Sequence, residues 1–407
     1  MQIIEGGITA ALGFKAASTA AGIKYQNRTD MAMVYSKVPC ISAGTFTTNV
    51  VKAACVKWDQ MIVAADKGMQ AVVINSGIAN ACTGQEGWDA CESTAKAVES
   101  ELGIDFETVA VASTGVIGMQ LPVEKLVNGV TEMSKTLSDS IEAGTAASKA
   151  IMTTDTINKE IAVTFDIDGK TVTLGGMSKG SGMIHPNMCT MLGFLTTDLC
   201  IEKKLLQEAL SEVVKDTFNM ITVDGDTSTN DTLLIMANGL AGNDKITEKN
   251  DAYKEFYDAL SYVCRHLART MAGDGEGATK LFEAKVINAK SKDDARTLSR
   301  AIVGSNLSKA AIYGCDANFG RFLCAMGYSG AQFDQNEVEL FFESDAGRLQ
   351  VFDHGVPLTF DEEQAKRIMQ ASEVTVFVDM HEGEAEATAW GCDLTYDYVK
   401  INADYRS

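Results

Sequence analysis

A chain of 407 residues, 46% hydrophobic and 22% charged, is long enough for two or three cores and has the balance of a folded protein. Its 55 acidic residues against 35 basic ones leave a formal charge of −20, which repels phosphate backbones and argues against nucleic acid as a partner. No apolar run reaches the roughly 18 residues of a membrane helix, and Met1–Gly7 lacks the basic and apolar regions of a secretion signal. The ten cysteines form no C-x-x-C pair, and the four histidines stand at no zinc-like spacing from them. No metal site is therefore expected, and scattered thiols point to a reducing compartment, the cytoplasm.

In chain order, Val34–Ser36 and Ala43–Asn49 read as short strands. Ala71–Gly77 reads as a buried strand ending in a polar turn, followed by a helix over Trp88–Leu102. Val109–Gly115 is a second buried strand opening into a Thr-Gly turn, and Pro122 suits the start of a helix through Leu137. Asp168-Gly169 between Ile161–Ile167 and Lys170–Leu174 is a hairpin signal. That hairpin feeds Gly175–Gly182, which has four glycines in eight residues and reads as a loop. After Thr190 the sequence turns apolar, as a buried strand would. Helices are expected over Glu202–Phe218, Ala252–Met271 and Ser291–Val303, with a strand at Leu233–Ala237. Strands follow at Val338–Glu343, Arg348–Phe352 and Val374–Asp379, with an alternating run over Glu384–Tyr398. The pattern is α/β or α+β, with layered mixed sheets covered by helices. No linker or internal repeat divides it.

Asp224–Asp231 fails as a calcium loop because Thr229 and Ile235 occupy the places of the required Gly and Glu, so a hydrogen-bonded turn is expected. Asp274–Lys280 lacks P-loop spacing and reads as a turn carrying Glu276. No G-x-S-x-G elbow is present, and the histidines sit mid-helix or in turns. Nucleophilic chemistry in such a chain has one remaining base, the backbone amine of the nucleophile itself, and Thr190 stands at the loop-to-strand junction.

The run Lys179-Gly180-Ser181-Gly182-Met183-Ile184-x-Pro186-x-Met188-x-Thr190-Met191-Leu192 resembles the self-cleavage motif of the ornithine acetyltransferase (glutamate N-acetyltransferase) family. Phe46–Asn49, Asn75–Gly77, Ala79–Gly84, Ser113–Gly118, Met152–Thr156, Thr222–Asp231, Gly275–Lys280 and Asn318–Arg321 match it in the same order. The resemblance implies an aminopeptidase/ornithine acetyltransferase-like fold and cleavage between Cys189 and Thr190, giving an α chain of residues 1–189 and a β chain of residues 190–407. It makes Thr190 the nucleophile that carries the acetyl group from N2-acetylornithine to glutamate. Thr114 and Gly115 become the oxyanion donors, and Thr153, Lys179, Thr190, Glu276, Asn402 and Ser407 the substrate contacts. It further implies an α2β2 assembly in arginine biosynthesis and no cofactor, and leaves open acetyl-CoA as a co-substrate. We expect Lys179 to face a substrate carboxylate and Glu276 a substrate ammonium. The chain departs from the family pattern at Cys189 (usually Ala), at Ile78 (usually Asn) and at Cys315 (often basic). Two other readings are a self-processed N-terminal-nucleophile hydrolase or aminopeptidase, and a non-catalytic amino-acid-binding relative.

Overall fold

The computed structural model describes residues 1–185 and 191–403. They pack as two units, the first comprising residues 1–180, 191–215 and 227–267, the second residues 181–185, 216–226 and 268–403. The expected scissile bond at Cys189–Thr190, and Ser407, lie outside the described residues.

The first unit begins with β1 (Gln2–Ile4), β2 (Phe14–Thr19) and β3 (Met31–Phe46). The two short strands read near Val34 and Ala43 are thus parts of one long strand. It pairs through Met31–Tyr35 with β2 and with β4 (Met69–Ile78), which follows helix α1 (Ala54–Ala65). Helix α2 (Gly84–Leu102) leads to β5 (Val109–Val116), parallel to β4. The continuous apolar runs Ala71–Ile74 and Val109–Ala112 suit that pairing, because parallel strands are covered on both faces. Here α1 and α2 supply part of the cover. Helix α2 begins four residues earlier than Trp88 and stops at Gly103, whose φ of 68° suits glycine and whose N–H caps Glu99 O.

Next come α3 (Val123–Thr136) and α4 (Ile141–Ala150), then β6 (Lys159–Ile167) and β7 (Lys170–Lys179). The hairpin forms where expected, with Asp168 at φ 52° and Gly169 at φ 77°. Its second strand continues through Lys179, so Gly175–Lys179 is strand and not loop. The glycines are there for contact: a Cβ on Gly175 would come 2.0 Å from Gly7 O, and one on Gly176 would come 2.5 Å from Leu195 Cδ2. The loop starts only at Gly180. β8 (Leu192–Thr197) is wholly buried, antiparallel to β7 and parallel to β9 (Thr232–Ala237), with α5 (Lys203–Lys215) between β8 and β9 in sequence. The second half of β3, Ile41–Phe46, pairs with β9. The sheet therefore runs β1-β6-β7-β8-β9-β3-β4-β5, with β2 beside β3.

Helix α6 (Asp251–Gly273) contains the division between units, after Leu267. The second unit holds β10 (Leu281–Ala289), α7 (Lys292–Gly304), α8 (Asn306–Gly314), α9 (Phe319–Gly327), β11 (Glu339–Ser344) and β12 (Gly347–Asp353). It continues with β13 (Val356–Pro357), α10 (Glu362–Met369), β14 (Glu373–Asp379), β15 (Ala385–Cys392) and α11 (Tyr396–Asn402). The order β13-β12-β11-β14-β10-β15 makes a mixed sheet whose β10–β14 pair is parallel, with α7 packed on β10 and β15. The run over Glu384–Tyr398 is strand only to Cys392. Thr395 then caps α11 by accepting a hydrogen bond from Tyr398 N, a favourable helix start that ends the strand pattern. Among the described residues no helix is long and apolar enough to cross a membrane.

Candidate active site

In the first unit the parallel register aligns Asn75 with Ser113, Ser76 with Thr114 and Gly77 with Gly115. Gly115 has φ 131°, and a Cβ there would lie 2.3 Å from Gly77 C, so only glycine fits. Hydrogen bonds lock this strand end. Ser113 Oγ donates to Asn75 Oδ1 at 2.7 Å, Asn75 Nδ2 to Ile78 O at 2.9 Å, and Asn230 Nδ2 to Ser113 O at 2.8 Å. Ile78 itself is in the core, so its departure from the family's Asn removes no bond seen here.

Lys179, at the end of β7, donates from Nζ to Thr114 Oγ1 at 3.4 Å. The hydroxyl oxygen thus accepts from a cation, which polarises the O–H and leaves its proton to donate elsewhere. Lys179 is also 4.0 Å from Asp155 Oδ2, while Asp155 Oδ1 accepts from Lys159 Nζ and from Gly180 N, each at 2.7 Å. Burial opposes charge on Asp155, but Lys179 and Lys159 outweigh it and bring its pKa down to about 2. Asp155 Oδ2 also accepts from Thr153 N at 3.0 Å, and Arg28 Nη2 donates to Thr153 O at 3.0 Å. Thr114, Gly115 and Lys179 are therefore brought together directly, and Thr153 is joined to Lys179 through Asp155.

Asp155, Lys159 and Asp231 are functional candidates that sequence reasoning missed. Asp231 is fully buried, its Oδ2 has no hydrogen-bond partner among the described residues, and burial raises its pKa well above the carboxylate range despite Lys179. The Met152–Thr156 motif held a signal for Asp155, although only Thr153 was drawn from it.

The Asp155 linkage has a testable sign. With its native pKa depressed, Asp155 stabilises the fold fully above about pH 4, and the contribution fades as pH falls toward about 2. It amounts to roughly 2 kcal/mol at neutral pH. Asp155→Asn should cost about 3–5 kcal/mol near neutrality, since two buried lysines lose the charge of this carboxylate, and should flatten the acid limb of stability. Urea unfolding of both proteins between pH 3 and 7 measures this.

In the second unit Glu276 is buried in the Asp274–Lys280 turn. Its N–H donates to Ser181 O at 2.9 Å, and its Oε2 accepts from Asn402 Nδ2 at 2.7 Å. Gly182 lies against the carboxylate, where a Cβ would come 2.3 Å from Glu276 Oε2. Asp393 Oδ1 fixes the turn from the end of β15, accepting from Thr279 N at 2.8 Å and Lys280 N at 3.1 Å. Thr395 Oγ1 adds a bond to Gly277 O at 2.8 Å. Asn402 is thus a helical residue pointed at Glu276. Cys315 takes the left-handed position after α8, and its Sγ accepts from Lys280 Nζ at 2.9 Å.

The Asp224 turn is the polar one expected, with its carboxylate accepting from Met183 N at 2.6 Å and Ile184 N at 2.8 Å. His185 Nδ1 is 3.0 Å from Thr222 Oγ1, and its Nε2 is 3.2 Å from Arg300 Nη2. Burial, then the Arg300 charge, lowers its pKa and keeps it neutral. None of these site residues belongs to the described clusters of His, Cys, Asp and Glu close enough to share a metal ion.

A model of the ArgJ family matches residues 15–407. The curated protein "Arginine biosynthesis bifunctional protein ArgJ" of Symbiobacterium thermophilum is 52% identical over 100% of both chains. Its Bacillus subtilis namesake is 45% identical over 99% of this chain and 97% of its own. A solved ArgJ structure from Bacillus halodurans is 46% identical, covers 52% of this chain and 97% of its own, and has a TM-score of 0.49.

Proposed function

The chain belongs to the ArgJ family, and from that premise we propose that it transfers the acetyl group of N2-acetylornithine to glutamate through an ester on Thr190. It is an acyltransferase of arginine biosynthesis acting on small molecules. In the proposed cycle the chain first cleaves itself before Thr190, giving residues 1–189 and 190–407. The freed α-amine of Thr190, with an ordinary pKa of about 7.7–8.0, takes the proton of its own hydroxyl as Oγ attacks the acetyl carbonyl. The C–N bond breaks, the proton passes to the departing amine, and ornithine leaves. The amine of glutamate then attacks the ester, Thr190 recovers its proton, and N-acetylglutamate leaves.

The observation that carries this reading is the Lys179 Nζ bond to the Thr114 hydroxyl beside Gly115. A polarised O–H and a glycine N–H on a locked strand end are the donors that a tetrahedral oxyanion needs. Lys179 and Thr153 are the proposed contacts for substrate carboxylate, and Glu276 and Asn402 for substrate ammonium. Ser407 completes the set on the family pattern. The described free cysteines fit a cytoplasmic enzyme, and α2β2 is the assembly we propose.

Incubation with N-acetylornithine should release ornithine in step with N-acetylglutamate, and only when glutamate is present. Release that ignores glutamate would make the chain a hydrolase. The word "bifunctional" in the relatives' name supports acetyl-CoA as a second acetyl donor to glutamate, which the same assay tests by replacing N-acetylornithine.

A further inference from the structure

One end of the second sheet gathers groups that acetyl transfer does not use. Glu339 opens β11, Asp353 closes β12 and is followed by His354, and Asp379 closes β14 just before His381. Register sets Glu339 opposite Asp379, and His354 N donates to Val338 O at 3.0 Å. The two imidazoles, half of the chain's four, stack with centroids 5.2 Å apart and planes at 21°.

His354 Nδ1 is 2.7 Å from Asp353 Oδ1, His381 Nε2 is 2.9 Å from Glu339 Oε2, and His381 Nδ1 is 3.6 Å from Asp379 Oδ1. One ligand atom each of Glu339, Asp353 and His354 lies within 4.8 Å of the others, and so do those of Glu339, Asp379 and His381. Glu339 belongs to both groups. Among the described residues none of these three carboxylates forms an ion pair with lysine or arginine; the histidines are their only cationic partners.

Amide side chains orient the carboxylates from outside, as supporting groups do around metal ligands. Gln350 Nε2 donates to Glu339 Oε1 at 3.0 Å, which turns Oε2 toward His381. Asn288 Nδ2 donates to Asp379 Oδ1 at 2.9 Å. The ordinary alternative is a pair of surface histidines satisfied by neighbouring acids. It explains each contact, but not why two amide-held carboxylates stand on either side of the one imidazole of His381.

Imidazole nitrogen with carboxylate oxygen is the donor set of first-row divalent ions, zinc among them. We propose that Glu339, Asp379 and His381 bind one divalent transition-metal ion per chain. The ion takes the lone pair of the His381 nitrogen it binds while the ring proton sits on the other nitrogen, so the imidazole serves as a neutral ligand. Bound there, it ties the start of β11 to the end of β14.

Zinc titration of the chelator-treated, full-length protein, read by calorimetry and by metal content after dialysis, tests this. One zinc per chain is expected. Glu339→Gln and His381→Ala should each weaken binding at least about tenfold, and His266→Ala, at an exposed helical position, should leave it unchanged. Wild-type protein that retains no zinc, or a Glu339→Gln variant of native circular dichroism that binds zinc as tightly as wild type, would overturn the proposal. Acetyl transfer by both variants serves as the check on folding.

Discussion

Purified Thr190→Ala protein is expected to be one unbroken polypeptide by denaturing mass spectrometry, where the wild type gives two fragments, 1–189 and 190–407. Acetyl transfer should fall by about 10⁴-fold or more, the scale on which loss of a nucleophile acts. The uncut chain also lacks a base. An amide nitrogen does not accept a proton near neutrality, whereas a free α-amine does, so an intact bond before Thr190 leaves its hydroxyl unactivated. His185 offers no substitute, being engaged by Thr222 and Arg300. Thr190→Ser, which retains a hydroxyl, should still cleave. Full activity from an uncut chain would end this account.

The second large effect is expected at Thr114. Thr114→Val keeps the shape and removes the hydroxyl that accepts from Lys179. Loss of one oxyanion donor lowers kcat by about 10²–10³-fold. Because that hydrogen bond strengthens as charge develops, KM should move little. A variant with raised KM and near-normal kcat would instead make Thr114 a ground-state contact. Gly115 is less suited to such a test, since any side chain there collides with Gly77 and disturbs both strands.

Much of the frame was legible because its signals are local. The β6–β7 hairpin follows from two residues, and the buried strands β4 and β5 from two unbroken apolar runs. The misreading of Gly175–Lys179 has a physical source. Glycine serves turns and close packing equally, and sequence does not show which neighbour, here Gly7 O or Leu195, comes near. The brief helices α8, α9 and α10 escaped notice because eight or nine residues carry too few periodic positions. The Asp155–Lys159–Lys179 cluster was hidden for another reason: its meaning lies in burial and in a partner more than twenty residues away. The Asn402 bond to Glu276 was hidden likewise, since it depends on α11 turning that amide toward the carboxylate.

The strand order of the first sheet has a mechanical consequence for a cut at residue 190. β8 would belong to one product but stay laddered to β7 of the other through six paired positions, while β9 stays laddered to β3 through six more. The severed pieces would be interwoven, and neither could leave without unravelling the sheet's middle. They should travel as a single body through a native sizing column and part only in denaturant, so that scission adds a chain end where one is needed and sets nothing loose.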